Sequence, residues 1–197
     1  MILLKMIGGE SFLEFTLLSE EYLDLIMKWR TSEHVTKFMY TDIEPDLNKQ
    51  KKWFEKINKD NTQLNWVIFY KDNPIGLISL NNIDYIHEKA SSGFYIGELE
   101  YSIVSSRILP YFLNFYFFEM KFNKLVIEVL SINESMLKMD YHYGFRKVGT
   151  LTQHIKKDGI YYDVEVLEIL KDTWMNNYQK YHKLKAPFES RGKNSNE

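Results

Sequence analysis

A chain of 197 residues with 45% apolar and 16% aromatic side chains is sized for one domain with an aromatic-rich core. Its 25 basic residues stand against 27 acidic ones, a formal net charge of -2, which leaves no basic excess for a nucleic-acid face. With no cysteine, disulfides, thiolate metal sites and a cysteine nucleophile are excluded. The five histidines show no ligand-spaced pair, so no metal site is expected. Met1 to Ile7 is apolar but brief and interrupted by Lys5. It is too short to span a bilayer and lacks a cleavage pattern. The expectation is a cytoplasmic protein with no membrane and no nucleic-acid partner.

Ser11 to Leu18 alternates as a strand. Ser19-Glu20-Glu21 then opens a helix, a serine cap with acids in the first turn. The run EEYLDLIMKWR puts Tyr22, Leu25, Ile26 and Trp29 on one face. A short second helix is predicted over His34 to Met39. A loop and a third amphipathic helix, Asp46 to Asn58, follow, the helix anchored by Trp53, Phe54 and Ile57. Leu64 to Tyr70 and Ile75 to Asn81 flank the turn Lys71-Asp72-Asn73-Pro74 and form a hairpin. Ser91 to Gly97 should pair back antiparallel.

The stretch from Gly93 to Phe145 carries the most information. A strand ends near Gly97, a polar turn at Ser105-Ser106 opens an aromatic-rich helix to about Phe122, an apolar strand runs from Leu125 to Leu130, and a helix spans Asn133 to Gly144. Such a strand–helix–strand–helix unit makes parallel pairing with a crossover the expected arrangement. Ser105, Ser106 and Arg107 at a helix N-terminus suit an anion, or an ordinary cap beside a solvated Arg. Glu128 interrupts the strand LVIEVL. Strands covered on both faces are continuous apolar runs, so this acid needs a partner or a polar cleft, unless its face is half solvated. Asn133 is placed as a helix N-cap. The aromatic run from Tyr111 to Phe118 is most simply helix core. It is apolar nearly all round, so an oligomer contact, such as a homodimer, is the alternative.

Arg146 to Ile155 and Ile160 to Leu170 are strands around the turn Lys156-Lys157-Asp158-Gly159, where Gly159 can take positive φ. A last helix, Asp172 to Leu184, is capped by Asp172 or Thr173. The segment from Lys185 is a polar tail expected to be disordered. The chain is thus one domain, 1–184, with a tail, 185–197. Its class is α/β (α+β), a central mixed sheet flanked by helices.

The order of elements, and the run from Asn133 to Gly144-Phe145 with its N-x-x-(A/S)-…-G-F spacing, resemble the GNAT acetyltransferases. That resemblance implies a V-shaped split between two neighbouring parallel strands that admits acetyl-CoA as co-substrate, with no metal. The pantetheine would pair with the backbone at Tyr95 and Ile96, and the pyrophosphate would sit at Ser105, Ser106 and Arg107. Asn133 and Asp140 would contact the cofactor. Two positions depart from the family pattern. No glycine lies between Gly97 and Gly144, where the family has a glycine-rich loop. Asp140 stands where a tyrosine protonates the leaving thiolate; an ionised Asp140 is a poor acid. The candidate acid is then a water, or Tyr141 if the helix is rotated, since an adjacent helix residue points about 100° away.

Trp29-Arg30, Phe38-Met39-Tyr40 and Ile83 to His87 resemble a narrower group, the nucleotide-amino-sugar N-acetyltransferases of pseudaminic acid synthesis (PseH). This implies acetyl transfer to the 4-amine of a nucleotide-linked amino sugar by direct attack in a ternary complex. Glu128 would be the base. Arg30 would meet phosphate, Met39 and Tyr40 would pack on sugar or base, and His87 would hold a hydroxyl or phosphate. The alternatives are acetylation of protein N-termini or another small amine, and a binding module that has lost CoA chemistry.

Overall fold

Strand alternation sorts the side chains of the sheet into two faces, because register partners share a side. The computed structural model describes residues 12–191; Met1 to Ile7 and Ser11 lie outside them. Seven strands form one sheet: β1 (Leu13–Leu17), β2 (Leu64–Tyr70), β3 (Asn73–Asp84), β4 (Lys89–Ile96), β5 (Lys124–Leu130), β6 (Arg146–Lys157) and β7 (Ile160–Leu170). Their spatial order is β1-β2-β3-β4-β5-β7-β6, and β4 with β5 is the parallel pair. The helices are α1 (Leu23–Arg30), α2 (Glu33–Thr36), α3 (Leu47–Asn58), α4 (Ser105–Asn114), α5 (Glu134–Tyr143) and α6 (Lys171–Tyr181).

One face carries Phe15, Trp66, Ile68, Ile78, Leu80, Leu125, Ile127 and Ile169, buried with Ile108, Phe112 and Leu113 of α4 and Trp174 of α6. The opposite face is apolar where α1 and α3 cover it. There Val67 and Leu77 pack with Leu23, Ile26, Trp29 and Ile57, and Tyr95 leans on the same cluster. Further along the same strands this face turns polar. Asn65, Ser79 and Gly93 make one rung, and Asn81 and Ser91 the next. A face buried at one end and hydroxyl- and amide-lined at the other is the floor of a cleft rather than a packed layer.

The crossover helix is less regular than its sequence suggests. A 3-10 segment, Leu99–Val104, winds directly into α4. After Asn114 the chain makes a π turn, Phe115–Glu119. Pro110 inside α4 has no amide to give the Ser106 carbonyl four residues earlier, and the Tyr143 hydroxyl donates to that carbonyl instead. The missing helix bond thereby becomes a strut between α4 and α5. The aromatic run is consumed inside the chain. Phe112, Tyr116 and Phe117 are fully buried, Phe118 meets Tyr178 and Phe115 meets Phe188.

The segment expected to be a disordered tail packs as far as Arg191; residues 192–197 lie outside the described residues. Phe188 is stacked between Phe15 and Phe115, with ring centroids 3.9 Å apart on each side. Phe15 donates its amide to Pro187 and Glu189 donates to the Phe15 carbonyl, so the segment covers the outer edge of β1. Trp66 Nε1 donates to the Glu189 carbonyl at 2.8 Å. The Arg191 guanidinium donates to the carbonyls of Ile57 and Asp60 at the end of α3. Polar composition concealed one aromatic anchor. Replacing it, Phe188→Ala, is expected to cost about 2–3 kcal/mol in urea unfolding. An unchanged midpoint would mean the ring contributes nothing to the fold.

Candidate active site

The parallel strands β4 and β5 share only three rungs, Lys89 with Lys124, Ala90 with Leu125 and Ser91 with Val126. Beyond these, β4 follows β3 while β5 follows β7. The facing backbone edges past Ser91 and Val126 are therefore not paired with each other, and their amides and carbonyls are open to a ligand. The far end of β4 is clamped to the N-terminal helices. Gly97 lies flat against the Trp29 indole, where a Cβ would come within 2.1 Å of the ring. Trp29 Nε1 donates to Glu98 at 2.8 Å, and His34 Nε2 donates to the Gly97 carbonyl at 3.0 Å.

The far end of β5 leads into α5, whose two caps explain the Asn…Gly-Phe spacing. The Asn133 side chain accepts the Met136 amide at 3.3 Å. Gly144 takes φ 99°, donating to Tyr141, while Phe145 donates to the Asp140 carbonyl; these two bonds make a Schellman stop.

Two cavities open in the gap between the strands. The larger, about 740 Å³, lies over the polar sheet face, and the smaller, about 330 Å³, lies toward the start of α4. They share Phe38, Met39, Phe94, Tyr95, Asn133 and Met136 as walls. Glu128 is exposed and lines the larger cavity. The Tyr40 hydroxyl donates to Glu128 Oε2 at 2.9 Å. Burial, reinforced by that hydrogen bond, holds the Tyr40 phenol protonated well above its usual range.

The loop carrying Tyr40 is fixed from the tip of the β6–β7 hairpin. Lys157 Nζ donates to the Thr36 carbonyl at 2.7 Å, to the Met39 carbonyl at 3.1 Å and to Asp42 at 2.7 Å. Arg30 donates through one terminal nitrogen to the Thr41 carbonyl at 3.0 Å. Its Nε, the Tyr95 hydroxyl and both carboxylate oxygens of Asp140 are buried without a hydrogen-bond partner. Asp140 is 0% exposed yet contributes to the wall of the larger cavity. Burial alone pushes its carboxyl up to about 8.

The structure thus gathers Arg30, Met39, Tyr40, Tyr95, Glu128, Asn133 and Asp140 around the larger cavity, and Ile96 and Ser105 around the smaller. It does not bring the others in. Tyr141, 45% exposed, lines neither cavity, as its offset from Asp140 requires. His87 sits in the exposed turn after β3, where its amide donates to Asp84. Ser106 and Arg107 lie outside both walls. The free helix N-terminus expected at Ser105-Ser106 is altered too, because the Ser105 amide already donates to the Ser102 carbonyl. The smaller cavity offers Lys37, Ser102 and His34 beside Ser105. No local pattern marked these three, because α2 brings His34 and Lys37 to Ser102 from more than sixty positions earlier. A switch from apolar to polar on one strand face, as at Leu77, Ser79 and Asn81, was the available signal for the cleft floor.

The description acetyltransferase (GNAT) domain matches residues 16–166. The chain belongs to the GNAT acetyltransferase family. The spermidine N-acetyltransferase of Vibrio cholerae, solved with CoA and spermine, has the same fold, with a TM-score of 0.77 at 23% identity over 85% of this chain and 100% of that one. A dodecameric structure of that enzyme gives 0.72 at 21% identity over 85% and 99%. The "Putative ribosomal N-acetyltransferase YdaF" of Bacillus subtilis (strain 168) is 25% identical over 54% of this chain, and the match spans 59% of that protein's length. GNAT acetyltransferases use acetyl-CoA, which supplies an acetyl thioester. The residues present suit it. The unpaired β4 edge at Tyr95 and Ile96 can meet its amides, and Lys37, Ser102 and Ser105 can meet its phosphates without a glycine-rich loop.

A buried carboxyl raised from 3.8 to about 8 makes the folded chain bind its proton more tightly than the unfolded chain does. Its contribution is fully present below pH 3.8 and is lost as pH climbs through about 8, at up to ~1.4 kcal/mol per pH unit. Asp140→Asn is therefore expected to become more stable relative to the wild type by more than ~1 kcal/mol between pH 4 and pH 7 in paired urea titrations; a constant difference would contradict the neutral acid. Lys157→Met leaves two loop carbonyls without their donor. It is expected to cost about 2 kcal/mol and to speed amide exchange at Phe38 to Thr41; unchanged exchange there would mean the lysine does not hold the loop.

Proposed function

We propose that this chain is an acetyl-CoA-dependent N-acetyltransferase of a small amine that carries an anionic group, with a nucleotide-linked amino sugar as the acceptor class. The observation that carries the anionic acceptor is a pair of unsatisfied donors. Arg30 Nε and the Tyr95 hydroxyl are buried, unpartnered and in the wall of one cavity. Two orphan donors are costly unless a ligand oxygen completes them, and guanidinium is suited to phosphate. The floor of Asn65, Ser79, Asn81 and Ser91 suits a polyhydroxylated ring. The short likenesses around Arg30 and Tyr40, both in the wall of the larger cavity, agree with that acceptor.

In this reading the acetyl thioester enters from the smaller cavity and the amine from the larger. Glu128, held by Tyr40, takes the ammonium proton directly or through water and passes it to solvent. The free amine attacks the thioester carbonyl, and the carbon–sulfur bond breaks with its electron pair on sulfur. The second nitrogen proton reaches the departing thiolate through water. The second reading is a polyamine or another small amine, as the names of the similar solved structures suggest. The wall is a poor match to a polycation. It presents Arg30 and Lys89 against two acids, Glu128 and Asp140, one of which burial keeps neutral.

The test is CoA release from acetyl-CoA with UDP-linked 4-amino sugars, spermidine, an N-terminal peptide and buffer alone. Turnover is expected with the amino sugars. Glu128→Gln is expected to lower kcat/KM by roughly 10²-fold, with the deficit widening below neutral pH where the amine is protonated. Turnover with spermidine alone would replace the acceptor. No turnover, together with no rise in Tm on adding acetyl-CoA, would leave a binding module without CoA chemistry.

A further inference from the structure

We infer that Lys157, at the tip of the β6–β7 hairpin, is a positioning residue for acetyl transfer: by holding the loop after α2 it keeps the Tyr40 hydroxyl on Glu128. The inference rests on the acetyltransferase reading above and deepens it.

The hairpin turn places the lysine. Lys157 is the last residue of β6 and pairs with Ile160 across Asp158 and Gly159. Those two residues take φ 49° and 81°, the positive values that a two-residue hairpin turn favours. Successive side chains of a strand point to opposite sides. Lys156 therefore lies over the Tyr161 ring, while Lys157 turns the other way, onto the loop.

There its ammonium is saturated. It has three protons to give and meets three acceptors, the carbonyls of Thr36 and Met39 and the carboxylate of Asp42. The Thr36 hydroxyl donates to the same carboxylate at 2.9 Å. One cation thus ties the segment from Thr36 to Asp42 together at both ends. The lysine side chain is only 10% exposed, although it sits at a hairpin tip.

What the clamp holds is the cavity wall and not the core. Neither hydrophobic cluster of the described residues includes Phe38, Met39 or Tyr40; all three line the larger cavity. Polar ties fix the loop in place of apolar packing, Lys157 from one side and Arg30 on the Thr41 carbonyl from the other. From this loop the Tyr40 hydroxyl donates to Glu128 at 2.9 Å. Lys157 itself lines neither cavity, so it acts on bound molecules through the loop. A displacement of about 1 Å at a catalytic group can lower a rate by as much as ~10²-fold, and a pin outside the cavity can therefore govern turnover.

The test is a double-mutant cycle on the full chain, with wild type, Lys157→Met, Tyr40→Phe and the pair assayed for CoA release with the amine that turns over best. Lys157→Met should lower kcat/KM for the amine on the order of 10-fold, while acetyl-CoA still raises its Tm. Lys157→Arg, which keeps a cation with several donors, should retain more activity than Lys157→Met. In the Tyr40→Phe background the Lys157→Met change should cost less than about twofold, because the hydroxyl that carried its effect is already gone. Asp42→Ala removes one acceptor from an exposed side chain. It should show a smaller loss that also vanishes in the Tyr40→Phe background, and it decides by the same rule if Lys157→Met does not fold.

Wild-type kcat/KM in Lys157→Met overturns the assignment. So do losses that multiply in the pair, which would mean that the lysine supports the fold without acting through Tyr40. Failure of the underlying reading looks different: the wild type itself then neither gains Tm with acetyl-CoA nor releases CoA with any amine, whereas an overturned positioning role leaves the wild type fully active.

Discussion

The parting of β4 from β5 is the constraint on which the rest of this structure depends. Three rungs hold the strands together, enough to set their relative direction and too few to close the sheet. Everything near the cleft keeps them apart past that point. A glycine against an indole and a histidine on a carbonyl draw the end of β4 toward α1 and α2. On the other side a tyrosine hydroxyl, occupying a carbonyl that a proline freed, braces α4 against α5. A sheet with an opened seam exposes main-chain donors and acceptors that water can satisfy and that an extended, amide-bearing ligand can satisfy equally well. The open seam is thus lined by backbone, and the surrounding side chains brace its two sides.

Two acids meet in one cavity under opposite conditions. Glu128 stands in a strand on a solvated face with a phenol donating to it. Asp140 stands on a helix, sealed from water with no partner at all. Environment rather than residue type sets the two carboxyl groups apart. Both line one cavity because the seam opens along β5, which carries Glu128 and leads into α5, which carries Asp140.

Much of this was legible from residue pattern. The apolar run Leu125 to Leu130 is a strand at almost those bounds, and Asn133 with Gly144-Phe145 marks both ends of α5, because caps and apolar periodicity are local properties. Glu128 stood out because an acid breaks such a run. What stayed hidden depends on distant partners. Lys157 looked like a turn residue, and its three acceptors lie more than a hundred positions earlier in the chain. Phe188 was masked by polar neighbours. Asp140 was read as ionised because nothing in the order of residues reports that a helix position is sealed. The 3-10 segment before α4 had no periodic signature, and it moved the effective start of the helical winding upstream to Leu99.

The tail has a consequence for the order of events on the ribosome. β1 and β2 are among the first segments synthesised, yet the outer edge of β1 and the indole of Trp66 gain their covering only from residues 187–189. Until then the nascent sheet presents an open strand edge and a row of aromatic rings, the surface that a neighbouring chain could add to or a chaperone could hold. Phe188 thus closes a strand made near the opposite end of the chain, so β1 stays uncovered until the segment beyond α6 has emerged.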